Sequence, residues 1–169
     1  MERETIKNIL DFLNTKENKK LPKKWFDSVE KLKLIQELEN HPDGTQYKHR
    51  GSLDLRDSTI RKLPNDLHVT GYLDLNKSKL TKLPNDLYVD GYLNLRYCQY
   101  LTELPDNLHV GGYLNLADCK QLTELPDNLY VGGDLGIYYT PIAQKYSSQE
   151  IREMITSKGG TLIGKIYRK

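Results

Sequence analysis

GSLDLRDSTIRKLPNDLHVT (51–70), GYLDLNKSKLTKLPNDLYVD (71–90), GYLNLRYCQYLTELPDNLHVG (91–111), GYLNLADCKQLTELPDNLYVG (112–132) and GDLGIYYTPIA (133–143) are consecutive segments of one chain. Their first glycines, at 51, 71, 91, 112 and 133, are spaced by 20, 20, 21 and 21 residues. Self-similarity at such a period marks a solenoid, in which each unit buries its apolar face only against its neighbours. In the second unit the apolar positions are Leu73, Leu75, Leu80, Leu83, Leu87 and Val89, and equivalent residues recur in the other full units. Leu73 and Leu75, two apart, suit a strand with one face buried. The period of two runs through Leu87, Val89, Gly91, Leu93 and Leu95. An extended segment therefore enters each coil, bends near the glycine and continues. Glycine there serves either a backbone conformation closed to other residues or a close approach of stacked coils.

Each full unit then carries Leu-Pro: Leu63-Pro64, Leu83-Pro84, Leu104-Pro105 and Leu125-Pro126. Proline lacks an N–H and fixes φ, which disfavours a central ladder position, and the following Asn-Asp or Asp-Asn adds turn chemistry. The predicted coil has short parallel strands on one face, an irregular or polyproline-like Leu-Pro side, and two tight turns.

The segment Leu-x-Leu-x-x-Ser-x-Leu of the second unit resembles the leucine-rich repeat pattern, in which Asn or Cys holds the Ser position. Cys98 and Cys119 stand there in the third and fourth units, and each is followed by one more residue before the next leucine than Ser58 and Ser78 are. That insertion accounts for the change of period, and the resemblance includes both a shorter Asn-type and a longer Cys-type repeat. The short period and the Leu-Pro are similar to those of bacterial secreted leucine-rich effectors and of related bacterial and phage proteins. The resemblance spans roughly residues 47–142. It implies an α/β repeat fold, a leucine-rich-repeat solenoid, that binds another protein through its strand face. One departure stands out. Thr70, Asp90 and Gly111 replace the first leucine of the pattern, with Val69, Val89 and Val110 one residue earlier, so the turn into the strand is expected to be unusual.

Outside the repeats, Ile6, Ile9, Leu10 and Leu13 predict an amphipathic helix over 3–14. Trp25, Val29, Leu32, Ile35 and Leu38 predict a second from Pro22 to about Asn40. Residues 1–44 are thus read as a helical N-terminal cap, with Trp25 and Phe26 against the first coil. Residues 45–142 are the solenoid, opening on a half-repeat in which Tyr47 to Gly51 aligns with Leu67 to Gly71, followed by four full repeats and a truncated fifth from 133. Residues 143–169 form a C-terminal cap. Ser147-Ser148-Gln149-Glu150 opens its helix as a capping box, Gly159-Gly160 ends it, and Thr161–Tyr167 lies as a strand over the last rung.

The net charge of +2 is uneven. Residues 51–141 hold 8 Lys/Arg against 12 Asp/Glu, and residues 142–169 hold 6 against 2. A mildly acidic repeat surface argues against a broad phosphate-binding face. The segment MERETIKNIL lacks the apolar core of a signal peptide, and no apolar run approaches the ~18–20 residues needed to cross a bilayer. The expected location is cytoplasmic, with action in a host cell open to an effector-like protein.

Outward strand positions stack into columns about 4.8 Å apart. The first is Ser52, Tyr72, Tyr92, Tyr113, Asp134; the second Asp54, Asp74, Asn94, Asn115, Gly136; the third Arg56, Asn76, Arg96, Ala117, Tyr138. Tyr and Arg are the residues that anchor protein interfaces. The candidate contact residues are Tyr72, Tyr92, Tyr113, Asp74, Asn94, Asn115, Arg56, Arg96 and Tyr138. A second column, His68, Tyr88, His109, Tyr130, places its histidines too far apart for a metal. Cys98 and Cys119 read as buried free thiols, and no phosphate loop, His/Glu metal pair or nucleophile motif is present. No enzyme, cofactor or metal is expected. The role implied is an inhibitor, adaptor or decoy acting on another protein, as a monomer or weak homodimer. Two alternatives remain: a nucleic-acid or nucleotide binder using the tyrosine column and the basic tail, and a self-assembling solenoid.

Overall fold

A computed structural model describes residues 23–168, with side chains from Ser28 onward. The chain divides into two units, Met1–Asn40 and His41–Lys169. Helix α1, Lys23–Glu39, is the described part of the first and carries the predicted repeat of Val29, Leu32, Ile35 and Leu38. The expected helix over 3–14 and the side chains of Trp25 and Phe26 lie outside what is described.

The second unit is a parallel-strand β-solenoid. Its strands are β1 (Tyr47–His49), β2 (Leu53–Asp54), β3 (Leu67–Val69), β4 (Leu73–Asp74), β5 (Tyr88–Val89), β6 (Leu93–Asn94), β7 (His109–Val110), β8 (Leu114–Asn115), β9 (Tyr130–Val131), β10 (Leu135–Gly136), β11 (Thr161–Leu162) and β12 (Ile166–Tyr167). Odd-numbered strands form one six-stranded parallel sheet and even-numbered strands the other. The expectation of strands on one face only is thereby corrected, because every coil contributes a strand on each side of its glycine. The second sheet forms where the sequence departs from the leucine-rich pattern. Val69, Val89, Val110 and Val131 face inward with no exposed surface and end the strands of the odd sheet.

The glycine bend joins the two sheets. Gly71, Gly91, Gly112, Gly133 and Gly164 each donate their N–H to the carbonyl of the glycine one coil earlier, at 2.8–3.0 Å. A Cβ built on Gly91 would stand 2.8 Å from Gly71 O, and one on Gly133 2.8 Å from Gly112 C. Of these stacked glycines only Gly51 takes a positive φ, and it alone has nothing within 4 Å of a built Cβ. Close approach of coils, rather than backbone conformation, is what excludes a side chain.

Inside, Leu73, Leu75, Leu80, Leu87 and Val89 are at most 1% exposed, and the equivalents in other coils are similarly enclosed. Each such aliphatic contributes about 1.5–3 kcal/mol by burial. The Leu-Pro side holds no strand, and its four prolines are buried. Two turns per coil pass through left-handed backbone. One uses Asp66, Asp86, Asn107 and Asn128, residue types that tolerate it; the other uses Asp57, Lys77, Tyr97, Asp118 and Tyr139, some of which do not. In the longer coils the inserted residue is taken up as an additional turn after Cys98 and Cys119, where the N–H groups of Leu101 and Leu122 bond the cysteine carbonyls at 3.2 and 3.4 Å.

After the fifth coil begins, helix α2 (Pro141–Lys145) and helix α3 (Ser148–Ser157) replace the Leu-Pro side. The helix at Pro141 was not expected; Thr140 caps it by accepting from Ala143 N. At α3 the predicted capping box is present, with Ser147 Oγ accepting from Glu150 N at 3.3 Å and Glu150 Oε2 from Ser147 N at 2.8 Å. The segment after it is two strands, not one. Thr161–Leu162 pairs with Tyr130–Val131, and Ile166–Tyr167 with Leu135–Gly136. Leu162-x-Gly164-x-Ile166 therefore repeats Val131-x-Gly133-x-Leu135 as a sixth rung.

Gly91→Ala is expected to lower stability by about 2–3 kcal/mol, since the added methyl runs into the Gly71–Tyr72 backbone of the preceding coil at a spacing fixed by the ladder; a urea midpoint measures it. Lys77→Asn, which suits the left-handed backbone at φ 57°, is expected to raise stability by about 0.5–1 kcal/mol in the same assay.

Candidate functional site

The outward face of the even sheet carries the sequence-predicted residues, held by strands whose alternate positions are the buried leucines. Tyr72 and Tyr92 stack with ring centroids 4.6 Å apart and planes 6° from parallel. Tyr92 remains 39% exposed, so the pair is ordered and open to contact at once. Burial, with Tyr72 and Asp74 close by, pushes the Tyr92 hydroxyl pKa up. Tyr113 does not join them. Its ring lies across Gly136, where an added Cβ would collide with the phenol, so glycine in the second column makes room for it. Burial raises its pKa also, and Tyr138, Asp134 and Tyr167 lie near enough to add to the shift. Tyr138 faces Tyr167 of the sixth rung at 6.4 Å. The predicted tyrosine row is thus two groups, Tyr72–Tyr92 and Tyr113–Tyr138–Tyr167.

The second column is engaged with backbone. Asp54, Asp74, Asn94 and Asn115 each accept, through their side-chain Oδ1, the N–H two residues ahead, at 2.9–3.1 Å. This Asx geometry closes the turn leaving each strand. Asn94 Nδ2 also donates to Asp74 Oδ1 at 3.1 Å, and Asp74 is only 6% exposed. These residues hold the face in shape more than they offer free polar groups.

Arg56 closes its guanidinium on the Asp54 carboxylate through Nε and Nη2, with Asp74 Oδ2 at 3.8 Å. The Asp54 carboxylate lifts the Arg56 pKa further above its ordinary value. Arg96 lies over its neighbour Tyr97 at 4.7 Å and donates to the Tyr97 hydroxyl. Asp118, nearly buried, holds Lys120 at 3.0 Å and Arg96 at 4.0 Å. Positive and negative groups alternate across the face, which leaves no single-sign patch.

On the odd sheet His68, Tyr88, His109 and Tyr130 form one continuous ring column. Tyr88 and His109 stack at 3.9 Å, His109 and Tyr130 at 4.4 Å, and His68 meets Tyr88 edge-on at 4.8 Å. Burial in this stack lowers the His109 pKa, opposed by Asp90, so the ring is neutral at pH 7. Sequence alternation located this column, but stacking on the same scale as Tyr72–Tyr92 needed the register.

Cys98 and Cys119 are buried and unbridged. Their thiols donate to Leu75 O and Leu95 O of the preceding coil, each at 3.2 Å. Thr140, fully buried, continues the ladder of Ser58, Ser78 and the two cysteines in the fifth coil, a member that sequence reading missed because a helix follows it. Burial raises the Cys98 pKa and pushes that of Cys119 up to about 12. Such a thiol is a poor nucleophile at neutral pH.

Among the described residues no group of three or more His, Cys, Asp or Glu is placed to hold a metal ion, and no helix is long and apolar enough to cross a membrane. Comparison with family models, with curated proteins and with solved structures found no match to this chain.

Both thiols are expected to stay unlabelled by iodoacetamide in native protein at pH 8 and to label fully in guanidinium. Mass spectrometry reads the two states, and labelling of the native protein would contradict the buried ladder.

Proposed function

We propose that this chain is a leucine-rich-repeat-type solenoid that binds a partner protein through the outward face of the even sheet, with no chemistry of its own. The observation that carries the reading is the Tyr72–Tyr92 pair, a half-buried ring under an exposed one, already ordered on a stiff sheet. Aromatic side chains held in place before contact lose little entropy on binding, which is why they dominate interface energetics. The neighbouring Arg96 supplies a planar donor at the edge of the same patch. Alternating charges favour a partner surface that is polar and near neutral, recognised through tyrosine hydroxyls and ring edges.

The nucleic-acid alternative draws less support. The repeat surface is mildly acidic, and Arg56, the cation nearest the tyrosine pair, is closed on the Asp54 carboxylate. In biological terms a compact binding module of this kind acts by occupying a target, as an inhibitor, adaptor or decoy. That role follows from the resemblance to bacterial and phage repeat proteins.

The test is affinity capture from bacterial lysate with the full chain and with Tyr72→Ala/Tyr92→Ala, whose fold is checked by circular dichroism. One protein retained by the wild type is expected to bind the double variant at least about 30-fold more weakly, corresponding to about 2 kcal/mol. An unchanged affinity for that protein, or retention of nucleic acid alone, would remove the face assignment.

A further inference from the structure

The sixth rung is finished on one half and open on the other. In the odd sheet each coil accepts N–H groups from the coil that follows: Val131 O and Gly133 O take Ile163 N and Gly164 N at 3.0 and 2.9 Å. On the sixth rung the corresponding acceptors are Leu162 O and Gly164 O. Arg152 of α3 occupies both, donating from Nη1 at 2.8 Å and from Nη2 at 2.6 Å. The planar guanidinium presents two N–H groups in fixed geometry, which suits a pair of nearby carbonyls as one ammonium does not. The odd sheet therefore stops at this rung.

In the even sheet the bonds run the other way, and each coil donates to the next. Leu114 N and Leu116 N reach Asp134 O and Gly136 O at 3.0 and 2.7 Å, and Leu135 N and Ile137 N reach Lys165 O and Tyr167 O, both at 2.8 Å. The register of Leu135 on Ile166 makes Ile166 N and Arg168 N the next donors of the series. Among the described residues neither meets an acceptor. Unpaired groups of this kind are a template for another strand.

The side chains and charges of this edge say which strand. Tyr167 is 40% exposed, and Ile166, one coil beyond the fully buried Leu135, is only partly covered. Residues 142–169 hold 6 Lys/Arg against 2 Asp/Glu. The nearby carboxylates are already engaged: Asp134 accepts Lys165 N at 2.7 Å, Glu150 accepts the Ser147 N–H and hydroxyl, and Glu153 accepts Gln149 Nε2. Lys165 is exposed, and Arg168 donates Nη2 to Ala143 O at 2.8 Å while its Nε has no acceptor. Like charge opposes a second copy at this edge, and opposite charge favours an acidic segment.

We infer that β12 is a strand-addition site for an extended acidic peptide of another protein. Two of its carbonyls, two residues apart, accept Ile166 N–H and Arg168 N–H. An apolar side chain continues the inward column over Ile166, its neighbour lies against Tyr167 on the outward face, and flanking Asp or Glu meets Lys165 and Arg168. Main-chain bonds supply affinity, and alternate side chains supply selectivity. The edge is distinct from the Tyr72–Tyr92 pair.

The experiment titrates isotope-labelled full-length protein with the synthetic peptide acetyl-Asp-Glu-Val-Tyr-Val-Glu-Asp-amide and with a counterpart carrying Lys at each acidic position. Saturation with the acidic peptide is expected to slow amide exchange at Ile166 and Arg168 at least about tenfold. The basic peptide is expected to bind more weakly, and Lys165→Glu to weaken the acidic peptide about threefold. Ile166→Pro removes a donor that the fold does not use and is expected to abolish binding. Should that variant fail to fold by circular dichroism, Arg168→Pro decides by the same readout. Tyr72→Ala/Tyr92→Ala is expected to bind the peptide unchanged, so this site and the strand face fail independently. Unslowed exchange, equal binding of the basic peptide, or binding kept by a folded proline variant overturns the inference, as does pairing of two copies through this edge in light scattering.

Discussion

The hydrogen bond from each glycine N–H to the glycine carbonyl one coil earlier sets the spacing of the whole solenoid. At 2.8–3.0 Å the backbones come together where no Cβ fits. The bend happens at the same place in each coil, so strands on both sides of it fall into register and two parallel sheets grow side by side. Backbone polar groups that would otherwise be orphaned in the bend are satisfied by this stacking. The leucines then have nowhere to point but inward, and their burial stabilises what the bend has aligned.

The same constraint shapes the outward surface. Once coils stack at a fixed spacing, side chains at equivalent positions must either stack or turn aside. Tyr72 and Tyr92 stack, as do Tyr88, His109 and Tyr130. Tyr113 turns aside because Gly136 leaves space in the next coil. The Asx residues of the second column keep the strand ends from fraying, and the candidate contact face inherits that stiffness. A surface this ordered is suited to rigid-body recognition with little entropic cost on binding.

Much of this was legible in the residues. The period, the inward leucines and valines, the glycine bend, the turn chemistry after Leu-Pro and the capping box at Ser147 each depend on local chemistry or on simple repetition. The first-sheet strands were less legible, because Leu87-x-Val89 and Leu93-x-Leu95 differ only in which side of a glycine they occupy. The sixth rung was hidden by two helices inserted between Ile137 and Thr161, which break the period that makes repeats visible. Thr140, with a helix start immediately after it, was masked in the same way.

Periodicity is a one-dimensional property, so the order of residues is enough to specify a solenoid and to say which residues point in or out. Tertiary structure alone decided which outward residues act together. Pairing Tyr72 with Tyr92, separating Tyr113, closing Arg56 on Asp54 and bringing Arg152 onto Leu162 O and Gly164 O all depend on register between coils and on side-chain direction. Those are set by how neighbouring coils pack, which no single repeat encodes.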